Sequence, residues 1–327
     1  MSFGRFLLKR VLQGVLVVWG VITAVFLLRF ITPGNPVDFV APLDASQELR
    51  QQIAAELGLD QPLYIQYFEY LFGLLQGDMG YSYLSGQEAS VIVFNRLPAT
   101  VELAVAATIV AVVLSIPLGV ISATRRHQPA DYGATTFSLL GISTPNFWLG
   151  IMLLLVLSVQ FDVFPVGRRG IPFVDAFTLL LQGNVSGMQL WLSHIALPAI
   201  TLGTYFTALI TRLTRSGMLD ELGKSYVRAA RAKGIPETLV RYRHALRNTL
   251  IPVITVVGLQ LGTLIGGAVI TEQVFNWPGL GLEVIGAVNA RDWPILQGSL
   301  IVIGIGFVLV NIVVDALYAY LDPRVVD

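Results

Sequence analysis

The sequence contains no cysteine and only three histidines, so it lacks the side chains of most metal and thiol sites. Without cysteine there is no disulfide framework, no cysteine-ligated zinc, no iron–sulfur cluster and no thiol nucleophile. The three histidines, His127, His194 and His244, do not favour a centre built from several imidazoles. We therefore expect neither a resident metal nor a thiol-based catalytic residue.

Charged residues are scarce as well. They make up 13% of the chain, whereas hydrophobic residues make up 54%. A water-soluble domain of this size would have too little polar surface with that balance. The 21 basic and 21 acidic residues cancel, so the net charge gives no indication of a nucleic-acid partner. The composition indicates an integral membrane protein.

A phosphate-binding P-loop is missing too. Gly223, Lys224 and Ser225 match the end of that motif, but the pattern requires a glycine five residues before Gly223, where Met218 stands. The three residues also follow an apolar span rather than a buried β-strand. The chain therefore has no recognisable means of binding ATP itself.

Six apolar segments are long enough to cross a membrane, since about 20 helical residues span a hydrocarbon core of roughly 30 Å. They are 11–31, 101–123, 134–161, 194–213, 250–271 and 296–321. Two shorter apolar runs, 63–75 and 173–181, are predicted to be interfacial helices on or near the outer surface. The sequence thus predicts an all-α integral membrane protein with six transmembrane helices.

The positions of Lys and Arg indicate the orientation of these spans. If the N terminus lies inside, 15 of the 21 basic residues fall on inner segments, nine of them between Arg212 and Arg247. Both termini are therefore predicted to be cytoplasmic. The chain divides into an N-terminal segment with the first span (1–31), an acidic extracytoplasmic subdomain (32–100), and a core of five spans (101–327) that contains a cytoplasmic loop at 214–249.

Small and kink-forming residues interrupt several spans. Pro145 lies in the third span, where a kink would either act as a hinge, line a cavity or be a tolerated bend in a packed bundle. Gly258, Gly262 and Gly266 recur every four residues in the fifth span. Such a ridge lets another helix approach closely, so we predict helix packing there, within the chain or against a second subunit.

Polar side chains within the spans need partners or water. Gln260 and Thr263 lie off the glycine ridge, and Asn311 and Asp315 share a face of the sixth span. Pro145, Gln260, Thr263 and Asn311 are the candidate residues of a substrate path. Asp315 lies near the cytoplasmic end of its span, where it is either anchored or involved in transport.

The basic segment 225–252 lies between the fourth and fifth spans and is predicted to form a helical hairpin. Ser225 is the expected N-cap, Gly234 the expected left-handed C-cap, and Pro236 and Glu237 suit the first turn of a second helix that runs towards Pro252. The first helix is short, positively charged and lined with small side chains. It either fits a cleft of another protein or binds anionic lipid headgroups.

A family resemblance distinguishes these two interpretations. YVRAARAKG at 226–234, followed by HALRNTLIP at 244–252, resembles the coupling loop of ATP-binding-cassette (ABC) importer permeases, in the form typical of the dipeptide, oligopeptide and nickel family. The general pattern has Glu-Ala-Ala where this chain has Arg228, Ala229 and Ala230, and the arginine resembles the peptide branch. Further matches in the expected order are TPGNP at 32–36, LGLDQP at 57–62, GDMG at 77–80, EQVFNWPGLG at 272–281, RDWP at 291–294 and DPR at 322–324.

The resemblance implies a type I ABC-importer permease fold, in a multi-pass protein of a prokaryotic cytoplasmic membrane, and specifically the subunit with the large first outer loop. Its implied partners are a second related permease, two cytoplasmic ATPase subunits that bind ATP and Mg²⁺, an extracytoplasmic solute-binding protein and membrane lipid. Peptides would be moved by alternating access, with no cofactor or catalytic residue on this chain.

The resemblance also assigns the residues that couple transport to the ATPases. Ala229, Ala230 and Gly234 are expected to form the docking surface, and Arg228, Arg231 and Lys233 to add polar contacts. The whole expected set is Tyr226, Arg228, Ala229, Ala230, Arg231, Lys233 and Gly234.

Two other classes of protein share some of these features. A secondary transporter or channel with a lipid-binding basic hairpin would also be a helical bundle, but it should place ionisable groups at mid-membrane, where Asp315 is the sole weak candidate. An intramembrane enzyme would need a nucleophile and a base at membrane depth, and no span offers a convincing pair. The sequence leaves the solute open among peptides, glutathione, nickel chelates and other small solutes.

Overall fold

The computed structural model describes residues 3–31, 37, 41–42, 44–56 and 58–321, and these fold into helices without a β-strand. We number the helices α1 to α13. They are α1 (Phe3–Ile31), α2 (Gln47–Glu56), α3 (Leu63–Leu75), α4 (Ala89–Thr124), α5 (Pro129–Ser143), α6 (Asn146–Leu153, continued by the π-helical turn Leu154–Gln160), α7 (Phe173–Leu181), α8 (Ser186–Leu222), α9 (Ser225–Ala232), α10 (Glu237–Leu239, the π-helical turn Val240–Ala245 and Leu246–Gly267), α11 (Val269–Phe275), α12 (Leu280–Ala290) and α13 (Trp293–Leu321).

Five of the described helices are long and apolar enough to cross a membrane, namely α1, α4, α8, α10 and α13. A sixth span is formed if α5 and α6, which are joined at a bend of 104°, count as one. An all-α membrane protein is thus confirmed, with five or six spans where six were predicted. The cytoplasmic placement of both termini and the division at residues 31 and 100 stay predictions.

The third predicted span, 134–161, is a sharply bent pair rather than one helix. Thr144 ends α5 in an extended conformation (ψ 122°), and Pro145 precedes α6. The proline ring disfavours the helical conformation of the residue before it, and proline has no N–H to donate to the preceding turn. The expected kink at Pro145 therefore becomes a corner.

Two spans extend well beyond their apolar segments. α4 has 36 residues and begins at Ala89, although the apolar segment begins at 101, and α8 has 37 residues and begins at Ser186 rather than 194. The first turns of each helix are partly polar, and they remain helical because their buried face packs against neighbouring elements. The end of the predicted outer segment 32–100 is consequently the first part of α4.

The core lies where α4, α8 and α10 meet. α4 packs against α8 more extensively than any other two described helices pack together. Small residues on α4, including Ala104, Ala107 and Ala111, are almost fully buried there. A Cβ on Gly203 of α8 would lie 2.9 Å from the carbonyl oxygen of Ala107, so the two backbones approach to a distance that admits glycine best.

The segment between α11 and α12 is anchored on α4 by buried polar groups. Trp277 is fully buried, and its Nε1–H donates to the Ala99 carbonyl oxygen at 2.8 Å. Glu272 is also fully buried and accepts a hydrogen bond from Thr100 Oγ1 at 2.7 Å and another from the Leu282 amide at 3.0 Å. The motif at 272–281 therefore fixes the approach to the last span.

The first span packs on the last. Gly14 of α1 faces Val308 and Ile312 of α13, and the Arg10 Nε lies 3.2 Å from an Asp315 carboxylate oxygen. Of the two roles open to Asp315 from its sequence position, this geometry fits an anchor. The two short helices form with the expected limits, Leu63–Leu75 and Phe173–Leu181, and their interfacial placement stays a prediction.

Candidate functional site

The short helix α9 lies between the long helices α8 and α10, and the chain leaves the helical conformation on both sides of it. Ser225 is its first helical residue, and the preceding Lys224 is extended and makes no side-chain cap, so the expected Ser225 N-cap is wrong. Gly234 takes the expected left-handed conformation, with φ +74°. A Cβ on Gly234 would meet nothing within 4 Å, so conformation rather than crowding favours glycine there.

One face of α9 is buried against the ends of the neighbouring helices. Val227 and Ala230, three residues apart, pack with Val240 of α10, and Leu222 and Ile235 border this cluster. Ala230 is 8% exposed. Positions three apart share a helix face, and the apolar Val227 turns that face inward. The place of Ala230 on the docking surface stays a prediction that this burial does not favour.

The opposite face of α9 is exposed and mostly small or cationic. Neither Arg228 nor Lys233 forms an ion pair with any residue that the structure describes. The predicted coupling residues that lie on this exposed side are Tyr226, Arg228, Ala229, Arg231, Lys233 and Gly234. A partner that approaches α9 would meet the small side chain of Ala229, with the cations Arg228 and Lys233 on either side of it in the sequence.

The largely buried carboxylate of Glu221, at the end of α8, holds the start of α9 in place. Glu221 accepts hydrogen bonds from Lys224 Nζ at 2.5 Å, from the Tyr226 hydroxyl at 2.5 Å and from Asn248 Nδ2 of α10 at 3.4 Å. Asn248 Nδ2 also donates to the Tyr226 oxygen at 3.0 Å. Desolvation and the hydrogen bond to Glu221 raise the pKa of the Tyr226 hydroxyl, so it remains a donor. The network joins α8, α9 and α10.

A second carboxylate fixes the end of α9. Glu237, in the first turn of α10, accepts two hydrogen bonds from Arg231, at 3.0 and 2.9 Å, and one from Arg241 at 3.1 Å. These side chains are about 40% exposed, so the pair adds little stability. Its two-point geometry still determines how α9 is oriented on α10.

The second helix of the hairpin, expected to run towards Pro252, is continuous with the fifth span. α10 runs through Pro252 and is helical from Glu237 to Gly267. Proline in a helix removes one backbone hydrogen bond, and spans tolerate this where neighbouring helices and local adjustments compensate. A displacement of α9 would therefore act on the whole of α10.

The glycine ridge of α10 packs against α13 within the same chain. A Cβ would lie 2.3 Å from Val314 Cγ2 at Gly258, 3.4 Å from Phe307 at Gly262 and 3.7 Å from Ile303 at Gly266. The close approach is thus tightest at the Gly258 end. A second subunit is not needed to account for the ridge.

The candidate residues of a substrate path are dispersed. Pro145 lies at the corner between α5 and α6, and Thr263 Oγ1 donates to the Gln260 carbonyl oxygen at 2.7 Å. Asn311 Nδ2 donates to the Phe307 carbonyl oxygen at 2.9 Å and lines a cavity of 340 Å³ that also contacts Arg10. The polar groups are satisfied locally, and a path through them remains a prediction.

Sequence patterns missed three residues that organise the site: Glu221, Glu237 as a partner of Arg231, and Asn248. Glu221 stands three residues before Lys224, a spacing that indicates an ion pair. The contact of Glu221 with Asn248 bridges 27 positions and had no such signal. Two motif matches, 32–36 and 322–324, and Leu57 of a third lie outside the described residues.

Comparisons with known proteins cover nearly the whole chain. The family model described as "Binding-protein-dependent transport system inner membrane component" matches residues 115–327, and the model of the N-terminal part of such membrane components matches residues 3–104. The chain is 39% identical over 333 residues to the dipeptide transport system permease protein DppB of Escherichia coli K12, covering 98% of each chain. It is also 39% identical over 321 residues to the oligopeptide transport system permease protein AppB of Bacillus subtilis, again with 98% of each covered.

A solved structure has a similar fold. The crystal structure of an amino acid ABC transporter with histidines superposes with a TM-score of 0.50 and 13% identity, covering 72% of this chain and 94% of that one. At this identity the likeness concerns the fold alone.

Proposed function

This chain belongs to the family of inner membrane components of binding-protein-dependent transport systems, and from that premise we propose that it imports peptides by ATP-driven alternating access. It is a multi-pass inner membrane protein and a transport subunit rather than an enzyme. The proposal adds the solute, the coupling to ATPases and the conformational cycle to this identity.

The two-sided character of α9 is the observation that carries the coupling proposal. Its inner face is fixed by Val227 and Ala230, and its outer face offers Ala229 between Arg228 and Lys233. Cytoplasmic ATPase subunits that close on binding ATP and Mg²⁺ would grip this outer face. Small side chains let a cleft close around the helix, whereas bulky ones would hold it open.

The attachments of α9 would carry that movement into the membrane. Glu221 ties α9 to the end of α8 and to Asn248 of α10, and Glu237 ties it to the start of α10. Because α8 and α10 are both candidate spans, tilting α9 would tilt them together. The bundle would then open alternately to the outside and to the inside.

The peptide assignment rests on the relatives, whose names give dipeptide and oligopeptide transport. The partners that we propose are a second permease of the same family, two ATPase subunits and an extracytoplasmic solute-binding protein. ATP and Mg²⁺ would bind to the ATPase subunits, and this chain would need no cofactor. Selectivity would lie largely with the binding protein.

The experiment that tests coupling compares Ala229→Glu with Ala55→Glu. The first places a bulky acid on the exposed face of α9, and the second adds the same group to an exposed alanine of α2. Ala230→Glu is not suitable, because Ala230 is buried and its replacement would disturb folding. The measurements are the uptake of a labelled dipeptide by cells and the amount of ATPase that co-purifies with the tagged permease.

We expect Ala229→Glu to abolish uptake and to reduce the co-purified ATPase, with Ala55→Glu unchanged in both. Normal uptake and normal ATPase binding by Ala229→Glu would refute the docking surface. If Ala229→Glu loses ATPase while the control variant and the wild type bind it normally, but neither of these takes up dipeptides, the coupling site stands and the peptide assignment fails.

A further inference from the structure

A groove beside α9 is lined partly by residues that the coupling proposal does not use. It has a volume of 490 Å³ and lies between Tyr226 of α9 and one face of α10. The α10 residues that matter here are Arg243, Arg247, Ile251 and Ile254, which are spaced so that they follow one another along the same side of the helix.

The polar end of this groove carries unbalanced positive charge. Arg243 and Arg247 are exposed and one helical turn apart, and neither forms an ion pair with any residue that the structure describes. The nearby carboxylate of Glu221 is already occupied by Lys224, Tyr226 and Asn248. Two guanidinium groups are therefore available to an anion from outside the chain.

The other end of the groove is apolar. Ile251 and Ile254 continue the face of the two arginines towards the apolar part of the candidate span Glu237–Gly266. Tyr242, next to Arg243 in sequence, is 58% exposed. Exposed tyrosines with arginines at the end of a span are typical of the boundary between the membrane and water. The groove thus changes from cationic to apolar in the direction in which the helix enters the membrane.

We propose that this groove binds an anionic glycerophospholipid. The phosphodiester lies between Arg243 and Arg247, whose guanidinium groups can each donate two hydrogen bonds to phosphate oxygens. An acyl chain lies along Ile251 and Ile254. A soluble phosphate would leave the apolar wall unused, which is why the lipid fits both ends. The bound headgroup also lies beside Tyr226, so lipid occupancy stabilises the position of α9.

The test uses the complete transporter purified with its own partners and placed in nanodiscs of phosphatidylcholine with a fixed fraction of phosphatidylglycerol. Native mass spectrometry then counts the phosphatidylglycerol molecules that stay bound. The variant Arg243→Gln/Arg247→Gln removes both charges. The matched control Arg125→Gln/Arg126→Gln removes two charges from the exposed turn after α4.

We expect the affinity for phosphatidylglycerol to fall on the order of tenfold or more in the first variant, since each basic residue near an anionic surface contributes roughly fivefold. The control variant should bind as the wild type does. Arg243→Lys/Arg247→Lys should retain part of the binding, because charge remains while the forked donors are lost.

Three outcomes would overturn the proposal. One is equal phosphatidylglycerol retention by the two glutamine variants. Another is displacement of the lipid by inorganic phosphate alone, which would make the groove a site for free phosphate. The third is loss of ATPase subunits from Arg243→Gln/Arg247→Gln with lipid retention intact, which would assign the arginines to a protein contact. If Arg243→Gln/Arg247→Gln does not insert into the membrane, the wild type alone still tests the proposal. Equal retention of phosphatidylglycerol and phosphatidylcholine by the wild type would then overturn it.

Discussion

Replacing Gly258 by alanine should separate α10 from α13, and the structure allows the cost to be worked out. The new Cβ would lie 2.3, 2.6 and 3.0 Å from Cγ2, Cγ1 and Cβ of Val314. A β-branched side chain in a helix strongly prefers one rotamer, and the Cβ itself cannot rotate away. The clash can therefore be relieved only by moving one helix from the other.

The expected cost follows from two opposing contributions. Overpacking of this kind costs about 1–3 kcal/mol, and a contact this short belongs at the upper end. Alanine also gains up to about 1 kcal/mol over glycine through its helix propensity. We expect Gly258→Ala to lower the free energy of unfolding by about 2 kcal/mol.

The same helix provides matched controls. At Gly266 the nearest atom to a new Cβ is 3.7 Å away, an ordinary contact, so Gly266→Ala should gain up to about 1 kcal/mol from propensity alone. At Gly262 the distance is 3.4 Å, and the two effects should nearly cancel. The order of stability is thus Gly266→Ala, then Gly262→Ala, then Gly258→Ala.

The assay is thermal unfolding of the purified permease in detergent. After heating, size-exclusion chromatography measures the fraction of protein that still elutes as the folded species. A loss of about 2 kcal/mol should lower the transition temperature by about 3 °C in a chain of this length. Truncating the facing residue in Gly258→Ala/Val314→Ala should recover part of the loss, because the two changes remove the same clash. Equal stability of Gly258→Ala and Gly266→Ala, or no recovery in the double variant, would refute the packing argument.

Two further predictions concern ionic contacts at the end of the bundle that carries α9. In proteoliposomes, Glu221→Gln should reduce dipeptide transport per ATP hydrolysed by up to about tenfold, the equivalent of one charged hydrogen bond of about 1.5 kcal/mol. The exposed control Glu48→Gln should couple normally. Unchanged coupling in Glu221→Gln would argue against transmission of the movement of α9 through this carboxylate. Arg215→Gln should lower the free energy of unfolding by about 3 kcal/mol, because it leaves the buried Asp131 carboxylate without its cation. Arg231→Gln, at an exposed ion pair, should lower it by less than about 1 kcal/mol. Similar melting temperatures for both variants would contradict this ranking.

The spans could be predicted because hydrocarbon thickness and helix rise leave little freedom. The helix ends could not, since Ala89 and Ser186 begin helices whose first turns are partly polar and are held by packing. The corner at Pro145 illustrates the same limit. Proline chemistry gives its position, but the angle of 104° depends on what α6 meets, such as the contact of Gly150 with Phe275.

The short helix α9 could be located from sequence, but the direction in which each of its residues faces could not be fully deduced. Gly234 was predictable because its left-handed conformation has a local cause. Ala229 and Ala230 look alike in sequence, and only the rotation of α9 about its axis buries one and exposes the other. Val227, three residues before Ala230, is the one local sign of that rotation. The link from Glu221 to Asn248 depends on the meeting of α8 and α10 and has no local sign.

The basic residues of the hairpin divide by what balances their charge, and this division bears on the two interpretations that the sequence left open. Lys224, Arg231 and Arg241 pair with carboxylates of the chain and therefore fix geometry rather than attract a partner. The remaining positive charge falls in two places: beside Ala229 on α9, and on the groove face of α10. The proposed ATPase docking uses the first, and the proposed lipid binding uses the second. The two proposals thus rely on different cationic residues and share Tyr226, so a variant that removes the cations of one should leave the other intact.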